Sequence, residues 1–146
     1  MKRATGVDVL VMVSGAPPAP HIEAWARILI SKAGAKRPFS LSVLLCGDRR
    51  MRSLNRTWRR KDRPTDVLSF PSGERDFLGD LVIDVPYAAR QARRRGHPLR
   101  REVQILLAHG VLHLLGYDHE TDGGTMFRQQ RRILFSAFGE GPDGVP

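Results

Sequence analysis

His109-Gly110-Val111-Leu112-His113-Leu114-Leu115-Gly116-Tyr117-Asp118-His119 is the stretch on which the reading of this chain turns. The protein has five histidines, and three of them fall in this run. His109 and His113 are four apart, so on a helix both imidazoles project from one face, one turn apart. Gly116 is the residue type that lets a helix end in a left-handed turn. Such a turn would fold the chain back and bring His119 toward the other two. Three neutral imidazoles on one point leave a fourth position open, which is the pattern of catalytic zinc. Structural zinc favours four protein ligands and prefers cysteine, and Cys46 is the only cysteine.

The competing reading is an ordinary core. A lone histidine on an apolar helix is usually a buried residue with a hydrogen-bond partner. The run from Val103 to Leu115 is apolar almost all round, which predicts a helix buried on most sides. Two buried imidazoles cost free energy unless each finds a partner, and one metal would serve both. Gly110 costs about 1 kcal/mol relative to alanine inside a helix. Its presence predicts a close approach there, by a neighbouring strand or by a substrate.

Two known patterns resemble this run. The spacing His-x-x-x-His-x-x-Gly-x-x-His is that of metzincin metalloproteases, which place a glutamate general base directly after the first histidine. Here that place is Gly110, which has no side chain to carry a proton. The closer resemblance is to the YbeY family of bacterial ribosomal-RNA maturation endoribonucleases. Its pattern His-Gly-x-Leu-His-Leu-x-Gly-Tyr-Asp-His is filled at every defined position. Leu54 to Pro71 is similar to the same family's LN..YR..D.PTDVLSFP segment, with Trp58 in place of the usual tyrosine. Gly79-Asp80-Leu81-Val82-Ile83 is similar to its Gly-Asp-Ile strand. The three blocks span residues 54 to 119. After His119 the family tends to be strongly acidic, and this chain, with Glu120-Thr121-Asp122-Gly123-Gly124, departs from that.

Length and charge fit such an enzyme. A chain of 146 residues with 41% apolar content can bury one real core, so residues 1 to 138 are read as a single domain and 139 to 146 as a disordered tail. One cysteine excludes an internal disulfide and fits a reducing compartment. Asp8 interrupts the first apolar stretch, so Val7 to Val13 reads as a strand rather than an export leader. No apolar run approaches membrane-spanning length. Lys plus Arg outnumber Asp plus Glu by 24 to 15, a net charge of +9. Arginine, suited to bidentate phosphate contacts, supplies most of it. Arg49, Arg50, Arg52, Arg56, Arg59, Arg60, Lys61 and Arg63 crowd one segment, and Arg90, Arg93, Arg94, Arg95, Arg100 and Arg101 another. Such clusters are the electrostatic footprint of nucleic-acid binding. A solvated helix face is the plainer account, above all for Arg93 to Arg95.

The layout is α/β (α+β), without repeats. Strands are expected at Val7–Val13, Phe39–Cys46, Asp66–Phe70 and Leu78–Val85. Helices are expected from Pro20 to the stop at Gly34, from an Asp48 N-cap to about Trp58, from Pro86 to about Arg95, after Pro98, and from Gly124 to Phe138. One mixed, mostly short-stranded sheet packed by about five helices should carry the metal site at one edge. Trp25 and Met126 read as core.

The resemblance implies a single-strand-specific metallo-endoribonuclease of 16S ribosomal-RNA 3′-end maturation and ribosome quality control. It also implies one zinc per chain, ribosomal RNA and the small ribosomal subunit as partners, and a cytoplasmic location. Arg59 matches the family's aromatic-Arg-x-x-Asp arginine, which implies a catalytic role; a plain phosphate contact is the alternative. Asp118 is read as orienting a ligand imidazole, with a weak base as the alternative, and the rest of the first basic segment as weak RNA contacts. Asp66 and Asp80 receive no role. Two other functions stay open: a metzincin-type zinc peptidase, opposed by Gly110, and a non-catalytic ribosome-assembly factor with structural zinc. A water in the fourth metal position would favour the enzymes, and a fourth protein ligand the structural site.

Overall fold

Alternating apolar residues in short runs build the sheet, and each run carries a buried face. In the computed structural model, which describes residues 6–35, 39–118 and 120–139, β1 is Gly6–Val11, β2 Ser40–Cys46, β3 Val67–Pro71 and β4 Phe77–Asp84. The strand order is β1-β2-β4-β3. β1, β2 and β4 run parallel, and β3 pairs antiparallel with β4 at the edge. Among the described residues five helices accompany them: α1 Ala19–Lys32, α2 Asp48–Arg59, α3 Val85–Arg95, α4 Leu99–Leu114 and α5 Thr125–Phe138.

Period-two alternation sorts the side chains into two cores. Leu41, Val43, Leu45, Leu81 and Ile83 face α1, α4 and α5, and this is the main core. Cys46 and Val82 face the other way, against Met51 of α2 and Leu68. Trp25 packs against the main core and Met126 lies buried within it, as read from the sequence. The expected tail lies outside the described residues from 140 onward, and Gly139 is the left-handed cap of α5. No described helix is long and apolar enough to cross a membrane.

Two local expectations change. Asp48 is the first residue of α2, and Gly47 takes the N-cap position with no side-chain cap. The Asp48 carboxylate is instead held by Arg90 of α3, through two hydrogen bonds of 3.0 and 2.9 Å. Arg101, counted in the second basic cluster, is 1% exposed and therefore not part of a surface patch.

At the ends of β2 and β4, Asp84 caps α3 by accepting from Tyr87 N at 3.1 Å. It is fully buried. Burial, with the Asp48 carboxylate beside it, pushes Asp84 up to about 7, and burial likewise pushes the Cys46 thiol up to about 11. The Arg90 guanidinium holds Asp48 below the usual carboxylate range. A carboxyl that is harder to ionise when folded keeps its proton where the unfolded chain has lost it, so stability falls as pH rises from about 4 toward about 7. Asp84→Asn retains the cap acceptor and removes the titration. Urea unfolding should show the variant gaining on the wild type between pH 5 and pH 8 by roughly 1 kcal/mol or more; parallel stability profiles would refute it.

Candidate active site

From Arg101 to Leu114 every residue of α4 is buried except His109 and His113. The helix is apolar because it fills the space under β3 and β4, and these two side chains break its burial on one face. They are not buried imidazoles in need of a partner, as the apolar run suggested. Both open onto a cleft of about 910 Å³ along the edge strand β3. Their rings meet edge-on with centroids 4.7 Å apart, as two residues one turn apart should.

Gln130 of α5 is the residue that sequence reasoning missed. It is 8% exposed, and its Oε1 lies 2.9 Å from His109 Nδ1. With Nδ1 donating to this amide oxygen, Nε2 becomes the ring's lone-pair nitrogen, the state a metal ligand requires. A glutamine 21 positions away on another helix carries no local spacing cue. The imidazole pair and its amide support fit a zinc ion.

α4 ends as Gly116 predicted. Gly116 has φ of +103°. Its N–H donates to His113 O, and Tyr117 N–H donates to Leu112 O, both at 3.0 Å. This paired bonding is the Schellman turn. His119, the expected third nitrogen, lies outside the described residues, and among the described residues no three His, Cys, Asp or Glu side chains converge as a metal site. Asp118 accepts from Glu120 N at 3.1 Å and from Thr121 Oγ1 at 3.3 Å. At His109 the ring is held by Gln130.

The first basic segment divides. Arg59, Lys61 and Arg63 line the cleft, whereas Arg49, Arg50, Arg52, Arg56 and Arg60 do not. Arg52 is paired with Asp62 at 2.8 Å, and Arg56 stands 3.8 Å from the same carboxylate. Buried Asn55 shapes the turn that presents the cleft cations, donating to Arg63 O at 2.8 Å. Arg59 donates from Nη2 to Ser69 O at 2.8 Å, and its guanidinium stacks 5.0 Å from the Phe70 ring centroid. It therefore satisfies an edge-strand carbonyl and presents a fixed charge to the cleft.

The profile of the family described as Endoribonuclease YbeY matches residues 18–137. The chain belongs to this family. It is 51% identical over 106 residues to the Endoribonuclease YbeY of Aquifex aeolicus, covering 70% of each chain. To that of Solibacter usitatus it is 50% identical over 113 residues, 77% of this chain and 75% of the other. The solution structure of TM1509 from Thermotoga maritima superposes with a TM-score of 0.66 at 28% identity, over 91% of this chain and 89% of that one.

Gly110 also tells against the peptidase reading. A Cβ on Gly110 would stand 2.6 Å from Leu81 Cδ2. Leu81 is fully buried in β4, so this face of α4 points into the core. A side chain there would enter the sheet rather than the cleft. Gly110→Ala should cost about 1–2 kcal/mol net, because overpacking outweighs the gain in helix propensity. The loss, read from urea midpoints, should shrink in a Leu81→Ala background. An equal loss in both backgrounds would show that close approach is not what requires glycine.

Proposed function

We propose that this protein is a zinc-dependent, single-strand-specific endoribonuclease of 16S ribosomal-RNA 3′-end maturation and ribosome quality control, acting in the cytoplasm with the small ribosomal subunit as partner. Endoribonuclease activity follows from the family. Neither the peptidase nor the structural-zinc assembly factor finds support. The observation that carries the finer reading is the cleft itself. It sets two histidines, the first held by a buried amide, among four cations, Arg59, Lys61, Arg63 and Arg95, with Asp66 the only carboxylate among the described residues of its lining.

His109, His113 and His119 would hold the metal. When bound, zinc lowers the pKa of a coordinated water to about 7 and polarises a phosphoryl oxygen. The protein's own residues supply the rest. Gln130 fixes the His109 ring in one tautomer and one orientation. Arg59, anchored on Ser69 O and Phe70, offers its other N–H groups to the charge that develops on the phosphorane oxygens. Lys61 and Arg63 attract and position the strand. Phe127, half exposed in the cleft wall with its centroid 6.4 Å from His109, gives an unpaired base a face to stack on. A base held in a duplex has no free face, which favours single strands.

Elemental analysis of purified protein should find close to one zinc per chain, reduced sharply in His113→Ala, with chelation abolishing cleavage of a single-stranded oligoribonucleotide. Gln130→Leu should weaken zinc binding about 10- to 100-fold in competition with a chromophoric chelator. Unchanged metal content in His113→Ala would overturn the ligand assignment.

Arg59 and Lys61 should separate in kinetics. Arg59→Ala should lower kcat about a hundredfold with little change in KM. Lys61→Ala should raise KM and flatten its logarithmic salt dependence by about 0.7, the loss of one single-strand phosphate contact. Matching profiles for the two variants would make Arg59 one more positioning contact.

A further inference from the structure

Glu102, in the first turn of α4, is fully buried and acidic, yet belongs to no step described above. Its Oε1 lies 2.7 Å from His97 Nε2. Its Oε2 accepts from Arg95 Nη1 at 2.7 Å and from Gln91 Nε2 at 3.1 Å. Gln91 Nε2 also reaches Asp66 Oδ2 at 3.2 Å, on the cleft wall. A buried carboxylate is costly unless its oxygens are satisfied. Here the donors come from α3, from the turn that follows it, and from the arginine that closes α3.

Arg95 is the cation of this network that leaves the interior. Its side chain is 51% exposed and it lines the cleft, while its partner Glu102 is 0% exposed. One end of the guanidinium is thus pinned inside the protein and the other faces the space where RNA would lie. A guanidinium carries five N–H donors, and Nη1 is the one given to Glu102. Pinning removes side-chain freedom that a lysine or a loose arginine would lose on binding a phosphate. Glu102 and His109 are seven residues apart on α4, two turns on the same face and about 10 Å along the axis. A phosphate at Arg95 is therefore not the phosphate at the histidines.

We propose that Arg95, held in place by Glu102, binds a backbone phosphate of the RNA at a distance from the one that is cut, and so fixes how the strand lies along α4. This rests on the endoribonuclease reading. It assigns a positioning role to the one residue of the arginine run Arg93 to Arg95 that lines the cleft, since Arg93 and Arg94 are exposed and not among the lining residues.

The test is steady-state cleavage by the full-length protein of a single-stranded oligoribonucleotide, and of versions shortened one nucleotide at a time from each end. Arg95→Ala should raise KM for the long strand about tenfold with kcat within about twofold of wild type, and flatten the salt dependence of KM by about 0.7. Shortening from one end should cost the wild type that same factor at one step and cost Arg95→Ala nothing there. Arg95→Lys, which keeps the charge, should recover part of the loss. It also carries the comparison should Arg95→Ala fold poorly by thermal melting. A wild type that cuts normally, with Arg95→Ala matching its KM at every length, overturns the subsite alone. A fall in kcat without a change in KM does so too. A wild type that cuts no RNA overturns the endoribonuclease reading.

Discussion

The distance between α4 and β4 is the constraint on which the site depends. Gly110 lies against the Leu81 side chain, where an added Cβ would stand 2.6 Å from Cδ2, so the helix sits closer to β4 than a residue with a Cβ would permit unless that leucine shifted. That closeness buries every other residue between Arg101 and Leu114 and leaves His109 and His113 at the cleft. The same packing that earns stability therefore aims the imidazoles. A larger residue at position 110 would move the helix outward and carry both rings with it, so packing and chemistry cannot be altered separately there.

Charge is arranged with comparable economy. The basic excess is not a uniform coat. Arg52 is matched by Asp62 and Arg90 by Asp48, and these exposed pairs hold α2 in place more by geometry than by energy, since such pairs contribute little. What remains unmatched by a carboxylate among the described residues of the cleft is Arg59, Lys61 and Arg63, delivered by one helix end and the turn after it. Arg60 takes the left-handed conformation, φ 59°, that reverses the chain at that point. A backbone turn, held by Asn55, thus decides which cations of a continuous basic run reach the substrate side.

Much of this was legible in the sequence because the signals are local. Proline at the starts of α1 and α3, glycine after α1 and α4, and short apolar runs in the strands are short-range features, and the elements they predict agree with the structure to within a residue or two. The antiparallel edge strand was foreseen only as a mixed sheet. His109, His113 and the Gly116 turn were legible for the same reason, as three- and four-residue spacings. Gln130, Asn55 and the Glu102 network were not, because each acts through a partner on another element, and one chain alone does not display which elements meet. Asp48 failed as an N-cap for a related reason. Arg90, 42 residues away, takes its carboxylate through two charge-assisted hydrogen bonds, and Gly47 is left in the N-cap position.

The long-range contacts share a logic that the local ones lack. Gln130 holds the histidine nearest the middle of α4, and Glu102 holds the arginine beside its start. Both are polar groups sunk in an apolar environment, where an unpaired atom would be costly and a paired one is rigid. Each fixes one side chain that lines the cleft. An exposed imidazole or guanidinium on a flexible stem would have to be ordered by the substrate, at the expense of binding. Here the ordering is done during folding and offset by burial elsewhere. α4 thereby acts as a rigid rule, with a cation fixed at its first turn and two imidazoles two and three turns further on. The spacing between them is set by helix geometry rather than by any loop, so a strand laid along α4 meets its positioning contact and its reactive centre in a register that the fold has already chosen.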